Sequence, residues 1–335
     1  MGRSAVLSGV VGAALLIAGC SDGGAGPADA ATARLASTTA ATASTSASPT
    51  SVIETTSPAP STTLPPTTVP PTTAPSPVTA ASIAAEITAT ERGIRDASLS
   101  VESVAELGRR QQRAYQLLAR NSDLQDAVAS SIPADVATAF AFNVAARQAV
   151  LDHSVGAPPS EPPSTLPAWT ILEPLPIDEL LADYREAQAA TGVPWEYLAA
   201  INLVETRMGR ISGESSAGAR GPMQFLPTTW ATCCVGDIEN PHDAILGAAT
   251  YLVSEGAPGD MHAALFGYNP NEGYVGAVTA YASNLMADPL AYRGYHAWEV
   301  YVASTIGTVH LPLGYTSTTP VDVVEYVRTH PDDAP

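Results

Sequence analysis

From Ser21 to Ala80 the sequence is written almost wholly in Ala, Thr, Ser and Pro, with runs such as Leu64-Pro65-Pro66-Thr67-Thr68-Val69-Pro70-Pro71-Thr72-Thr73. A stretch of this kind buries too little apolar surface to offset the entropy of ordering it, so no single fold can fill the 335-residue chain. Residues 21–80 read as a disordered linker. In polyproline II geometry each residue advances ~3.1 Å, so the linker could hold the remainder of the chain roughly 180 Å from its attachment point. Exported Thr/Pro-rich tracts also commonly carry O-linked sugars, which would stiffen this one.

Residues 1–19 read as an export signal. Arg3 supplies one positive charge, Ala5 to Ala18 are apolar, and small residues precede Cys20. The segment Leu16-Ile17-Ala18-Gly19-Cys20 resembles the lipobox of bacterial lipoproteins, and that resemblance implies a lipidated Cys20 that becomes the mature N-terminus. Acyl chains on that residue would hold the protein to a membrane on the outer side of the cytoplasm. The alternative is an ordinary secretory signal that happens to contain a cysteine, giving a secreted protein.

Charge narrows the partners. The chain has 33 Asp and Glu against 15 basic residues, a net −18, and every basic residue is Arg. A chain so acidic repels a phosphate backbone, so nucleic acid is excluded as a partner, and it has no basic face for anionic lipid. Although 45% of residues are apolar, much of that share is Ala, and no run reaches the ~18 apolar residues of a spanning helix. Cys233 and Cys234 are adjacent and cannot form a conventional staple. They read as two small, half-buried residues, with a vicinal or intermolecular disulfide as the alternative.

Residues 81–155 form a small helical module. Val101, Val104 and Leu107, then Tyr115 and Leu118, recur at helical spacing, and Pro133 is expected to start a helix capped by Ser131 and carrying Val136, Phe140 and Val144. No chemistry is visible in it, and no residue in it names an envelope protein that it would recruit. Pro158, Pro159, Pro162, Pro163 and Pro167 mark a second linker, 156–170.

The last segment, 171–335, holds Trp195, Trp230, Trp298 and most of the Tyr, enough for a real core. Helices are predicted over Asp178–Thr191, Pro194–Met208, from Pro227 to just beyond Trp230, and over Pro241–Ser254, Met261–Tyr268 and Tyr274–Ala287. Asn240 before Pro241 reads as an N-cap with Asp243 at N3, which makes Asp243 a capping acid. The chain is therefore expected to be mainly α.

The Pro194–Met208 helix carries a carboxyl where an apolar side chain belongs. At 100° per residue, Leu198 and Ile201 flank Glu205, so the acid continues an apolar stripe. Burial there penalises the anion and raises the pKa, as a general acid working near neutral pH requires. The plain alternative is a solvated Glu near a helix end, paired with Arg207 or Arg210.

Neighbouring residues favour the chemical reading. Val204-Glu205-Thr206-Arg207-Met208-Gly209-Arg210, then Ser215-Ser216-Ala217-Gly218-Ala219-Arg220-Gly221-Pro222-Met223-Gln224-Phe225-Leu226-Pro227, then Gly267-Tyr268-Asn269, resemble the lysozyme-like lytic murein transglycosylases. The first wording is closest to the membrane-bound B-type branch, and the second is similar to the soluble type. The likeness runs from about Leu175 to Tyr315.

That resemblance implies a lysozyme-like helical catalytic domain in 171–335 acting on peptidoglycan glycan strands. Glu205 would be the single acid/base, cleaving the β-1,4 bond between N-acetylmuramic acid and N-acetylglucosamine with formation of a 1,6-anhydro end. It also implies that Ser215, Met223 and Gln224 line the sugar groove, and that Tyr268 and Asn269 contact the acid and an N-acetyl group. Two other outcomes stay open: a lysozyme-type hydrolase using Glu214, Asp237, Glu239 or Glu272 to position water, and a wall-binding lipoprotein without turnover. After the Tyr-Asn pair the chain departs from the family wording with Pro270-Asn271-Glu272-Gly273. The B-type Ca²⁺ loop shrinks here to Cys233–Pro241, whose Asp237 and Glu239 are too few for the oxygens Ca²⁺ takes. No metal or cofactor is expected.

Overall fold

The computed structural model describes residues 78–154 and 161–335. The leader, Cys20 and nearly all of the linker 21–80 lie outside the described residues. The described part is mainly helical. None of its helices is long and apolar enough to cross a membrane.

The first helices are α1 (Ala80–Ile94), α2 (Val101–Arg120), the short α3 (Gln125–Ala129) and α4 (Ala137–Ser154). Thr79 caps α1 in a reciprocal capping box with Ser82, and Ser100 caps α2 by accepting from the Ser103 amide. The helix predicted from Pro133 begins later, at Ala137. Pro133 instead closes a turn in which its carbonyl accepts from the Val136 amide at 3.0 Å, while Asp135 pairs with Arg92 at 2.7 Å. Ile83, Ile87, Tyr115, Leu118, Val128 and Phe140 make a small core between these helices.

Next in the chain are α5 (Ile177–Thr191), α6 (Trp195–Thr206), α7 (Pro227–Cys233), α8 (Pro241–Ser254), α9 (Met261–Tyr268), α10 (Glu272–Ala287) and α11 (Ala291–His296). Three of their starts carry side-chain caps: Asn240 on α8, Asp260 on α9, and Asn271 on α10, the last accepting from the Tyr274 amide at 2.9 Å. Gly192, at φ 81°, ends α5 in the left-handed form that suits glycine.

Among the described residues, three two-stranded antiparallel pairs accompany the helices. These are β1 (Thr165–Leu166) with β6 (Val321–Asp322), β2 (Thr170–Ile171) with β3 (Ile211–Ser212), and the hairpin of β4 (Val300–Ser304) and β5 (Gly307–Leu311). A last helix, α12 (Val323–Thr329), joins them in a second core around Leu166, Trp169, Ile211, Val309 and Tyr326. Residues 161–170, expected as linker, thus supply β1 and the start of β2.

The helices before and after the proline-rich break share one packed body. Here α10 lies between α4 and α6, and α11 packs on α2. Ala146 of α4 belongs to the same apolar core as Leu198, Tyr268 and Leu285. A buried polar chain crosses the same boundary. The Glu91 carboxylate accepts from Gln111 at 2.9 Å, Tyr115 at 2.8 Å and Asn143 at 3.2 Å, and it pairs with Arg95. The Tyr295 hydroxyl donates to Asn143 Oδ1 at 2.8 Å and accepts from Asn284 at 2.7 Å, while Trp298 Nε1 donates to Gln111 at 3.0 Å. These buried donors and acceptors are matched across segments, so separating them would orphan several at once.

The two adjacent cysteines differ from expectation. Cys233 and Cys234 are joined to each other in a disulfide, with Cα atoms 3.7 Å apart, and are not two free small residues. Helix α7 ends at Cys233, and the extended backbone of Cys234, at φ −132° and ψ 164°, brings the neighbouring sulfurs together.

Candidate active site

Helix α6 is buried on every side. Every residue from Leu198 to Thr206 is in the interior, because α5, α8 and α10 surround the helix. Glu205 is therefore buried, at 2% exposure, by enclosure of the whole helix and not by a single stripe. Neither carboxyl oxygen has a hydrogen-bond partner of ordinary geometry among the described residues. Burial raises its pKa to about 8, against smaller downward pulls from the Tyr274 hydroxyl and the Arg207 charge. Its place in the last turn of α6, beside the negative end of the helix dipole, acts in the same upward direction. At neutral pH the group carries a proton.

The chain leaves α6 through two left-handed residues, Arg207 at φ 56° and Met208 at φ 63°. This is why the helix stops at Thr206, short of the predicted Met208. Local hydrogen bonds hold the turn: the Thr206 hydroxyl donates to the Pro222 carbonyl at 2.6 Å and accepts from the Gly209 amide at 3.1 Å. Asn202, one turn earlier, donates to the same Pro222 carbonyl at 2.7 Å and accepts from Tyr184 at 2.6 Å. Two side chains of the acid's own helix thus hold the loop that carries the second motif.

That loop closes on itself. Arg220 and Phe225 exchange backbone hydrogen bonds at 2.8 and 2.9 Å, with Gly221 at φ 72° and Gln224 at φ 50° inside the turn. A Cβ on Gly221 would lie 1.9 Å from the Ile238 carbonyl oxygen, so only glycine fits. Gln224 is buried, and its amide donates to the Gly221 carbonyl at 3.0 Å, bracing the loop. Ser215, half-buried, accepts from the Ala219 amide at 3.0 Å through its hydroxyl and forms a turn of its own. Met223 is fully buried, and its carbonyl accepts from the Tyr268 hydroxyl at 2.6 Å.

The structure brings Glu205, Met223 and Tyr268 together but commits the Tyr268 hydroxyl to Met223. The hydroxyl that approaches the acid is that of Tyr274, on the first turn of α10. It is buried and has no hydrogen-bond partner within ordinary geometry. Its ring stacks parallel to that of Tyr268, with centroids 6.4 Å apart and 2° between planes. Asn269 ends α9 at 6% exposure, its carbonyl accepting from the Asn271 amide at 2.7 Å. Sequence reasoning missed Tyr274. The signal available was the spacing Tyr274, Val278, Tyr281, which puts two tyrosines on one face of α10.

Other acids near these motifs are engaged elsewhere. Glu214 pairs with Arg220 at the surface, and Glu272 with His262 at 3.1 Å. Asp237 accepts from the Glu239 amide at 2.9 Å, and its own amide donates to Asp243 at 2.9 Å. Asp243 thus ties the Cys233–Pro241 loop to the start of α8, while its amide donates to the Asn240 cap at 3.1 Å. Glu239 has a pKa raised by partial burial and lies at the edge of a cavity of about 230 Å³ lined by Leu175, Asn202, Met208 and Pro222.

Over 126 residues the chain is 30% identical to the membrane-bound lytic murein transglycosylase F of Thiobacillus denitrificans. The aligned stretch covers 35% of this chain and 26% of that protein, so the chain spans about a quarter of its relative's length. No protein family model matches the chain, and no solved structure matches it significantly.

Proposed function

We propose that the chain is a peptidoglycan-cleaving lytic transglycosylase that uses Glu205 as its single acid and base. The observation that carries this reading is the buried carboxyl of Glu205, unpaired, with a pKa raised to about 8, at the meeting of three motif-bearing elements. Similarity to a murein transglycosylase supports the same substrate class.

The protonation state dictates the chemistry. Glu205 donates its proton to the glycosidic oxygen between the muramyl and glucosaminyl units as the bond from that oxygen to C1 breaks. The resulting carboxylate takes the proton of the muramyl 6-hydroxyl, and the freed oxygen closes onto C1. Glu205 ends as it began, and no water is consumed. With the nucleophile tethered to the reacting sugar, proximity replaces the second carboxylate that ordinary glycosidases need. Between the two steps the anion is short-lived, and the Tyr274 hydroxyl is the donor placed to stabilise it.

Ser215, Met223 and Gln224 shape the loop beside the acid, and Tyr268 and Asn269 form the opposite wall. In this reading Cys20 carries the lipid anchor, and the linker lets the domain reach the glycan from the membrane.

The test is mass spectrometry of murein digested with wild type and with Glu205→Gln. Anhydromuramyl ends that vanish in the variant support the proposal. Reducing muramyl ends would assign a hydrolase, and undiminished cleavage by the variant would remove Glu205 from its role.

A further inference from the structure

Helix α6 buries a carboxamide one turn before its acid. Asn202 is fully buried, yet both ends of its amide are engaged. Its Oδ1 accepts from the Tyr184 hydroxyl of α5 at 2.6 Å, and its Nδ2 donates to the Pro222 carbonyl at 2.7 Å and to the Thr206 hydroxyl at 3.1 Å. With Oδ1 held by the phenol, the NH₂ end is the one that faces Pro222. Thr206 donates to the same carbonyl at 2.6 Å.

Pro222 and Met223 are the central residues of a turn that the Gln224 amide closes onto the Gly221 carbonyl at 3.0 Å. A proline has no N–H, so its carbonyl is its one backbone handle. The next carbonyl, that of Met223, accepts from the Tyr268 hydroxyl of α9 at 2.6 Å. Two consecutive carbonyls of one turn are thus pinned from two helices, and one of those helices ends in the acid. Behind the first anchor lies the cavity of about 230 Å³ lined by Leu180, Asn202, Met208 and Pro222. The turn lacks close-packed backing on that side, and its hydrogen bonds hold it in place.

The second anchor decides what Tyr268 does. Its ring lies parallel to that of Tyr274, and the Tyr274 hydroxyl approaches Glu205. Among the described residues, the ionisable groups acting on Glu205 are Arg207 just after it, Tyr274 on α10 and Tyr268 on α9. A phenol that donates to a carboxylate favours the anion. One such donor is compatible with an acid that keeps its proton, and a second would draw the proton off at lower pH.

We propose that Asn202 is a positioning residue: by anchoring the Pro222 carbonyl it presents the Met223 carbonyl to Tyr268, and so keeps the Tyr268 hydroxyl from donating to Glu205. The inference rests on the reading of Glu205 as the acid and adds what holds that acid in its protonated state. It also gives Tyr184, on a helix that carries none of the motifs, a part in the site, because its phenol sets which way the amide faces.

The test follows the carboxyl ¹³C shift of Glu205 with pH in the full chain, without substrate. Wild type should titrate near 8. Asn202→Leu, of similar size but without the amide, should lower the midpoint by about one pH unit as the Tyr268 hydroxyl turns to the acid. Adding Tyr268→Phe to Asn202→Leu should bring the midpoint back, and Tyr268→Phe alone should leave it where it is. A general loss of packing would not be reversed by removing one hydroxyl, so the recovery separates positioning from a merely structural role. An unchanged midpoint in a folded Asn202→Leu, a fall that Tyr268→Phe does not reverse, or a rise in Tyr268→Phe alone overturns the proposal. If Asn202→Leu does not fold, Tyr184→Phe, which frees the amide to turn, takes its place. A lower midpoint in that variant supports the proposal, and an unchanged one overturns it. Anhydromuramyl ends from a chain whose midpoint ignores Asn202→Leu would keep the reaction and reject the positioning. A midpoint that falls and recovers in a chain yielding no such ends would do the reverse.

Discussion

The hydroxyl of Tyr274 approaches the carboxyl of Glu205 in the core, and neither group has a hydrogen-bond partner of ordinary geometry among the described residues. The pair favours opposite states of the acid at different moments. In the proposed reaction, burial holds the proton on Glu205 before substrate arrives, and Tyr274 steadies the anion after the proton has left.

Tyr274→Phe should therefore slow turnover by about 10- to 100-fold while leaving the fold intact, as expected for removing one donor to a transient anion. Because Tyr274 lowers the acid's pKa, its removal should move the alkaline limb of the kcat/KM profile to higher pH. A limb that stays in place or moves down would show that the hydroxyl does not act on Glu205.

Glu205 also links stability to pH. Its folded pKa of about 8 lies above the unfolded value of about 4.3, so across that window the folded state holds a proton that the unfolded state has released. Stability must then fall as pH rises from about 4.3 to 8, by up to about 4 kcal/mol at pH 7. Glu205→Gln should flatten the decline of Tm with pH over that range. Parallel Tm curves for wild type and variant would contradict the burial cost.

Gly221→Ala should destabilise the loop strongly, because the added methyl meets the Ile238 carbonyl at 1.9 Å and φ is 72°. Gly218→Ala, with φ 80° and open space around the new Cβ, should cost only about 1 kcal/mol, the ordinary penalty of a left-handed residue. Thermal melts of the two variants give the comparison, and similar losses would mean that the contact with Ile238 is not tight.

A chain cut to 161–335 should fail to fold. It would leave Tyr295 without Asn143, Trp298 Nε1 without Gln111, and α10 without the α4 surface. Circular dichroism and a cooperative melt decide this, and a stable, cooperatively melting fragment would show that the earlier helices are an independent module.

Much of the helical architecture was legible from local rules. The predicted starts at Pro241 and Met261 and the ends at Thr191, Ser254, Tyr268 and Ala287 coincide with those of α5, α8, α9 and α10. Caps and punctuation decide such boundaries, and they are local in sequence. The strands from 161–171 and the packing of α4 on α10 were not legible, and the vicinal disulfide was legible only as an alternative. Each depends on a partner distant in sequence or on a backbone angle that composition does not record.

The candidate site divides in the same way. Glu205 stood out because a carboxyl amid Leu198 and Ile201 is anomalous on any helix. Tyr274 did not, since a tyrosine in a first turn is ordinary until the fold brings its hydroxyl to the acid.

The most direct test of the account is the titration of Glu205 itself, followed by the carboxyl ¹³C shift of labelled glutamate in wild type and assigned by its absence in Glu205→Gln. A midpoint near 8 is predicted. A midpoint at the ordinary carboxylate value, about 4.3, would leave Glu205 ionised at neutral pH and contradict its role as the acid.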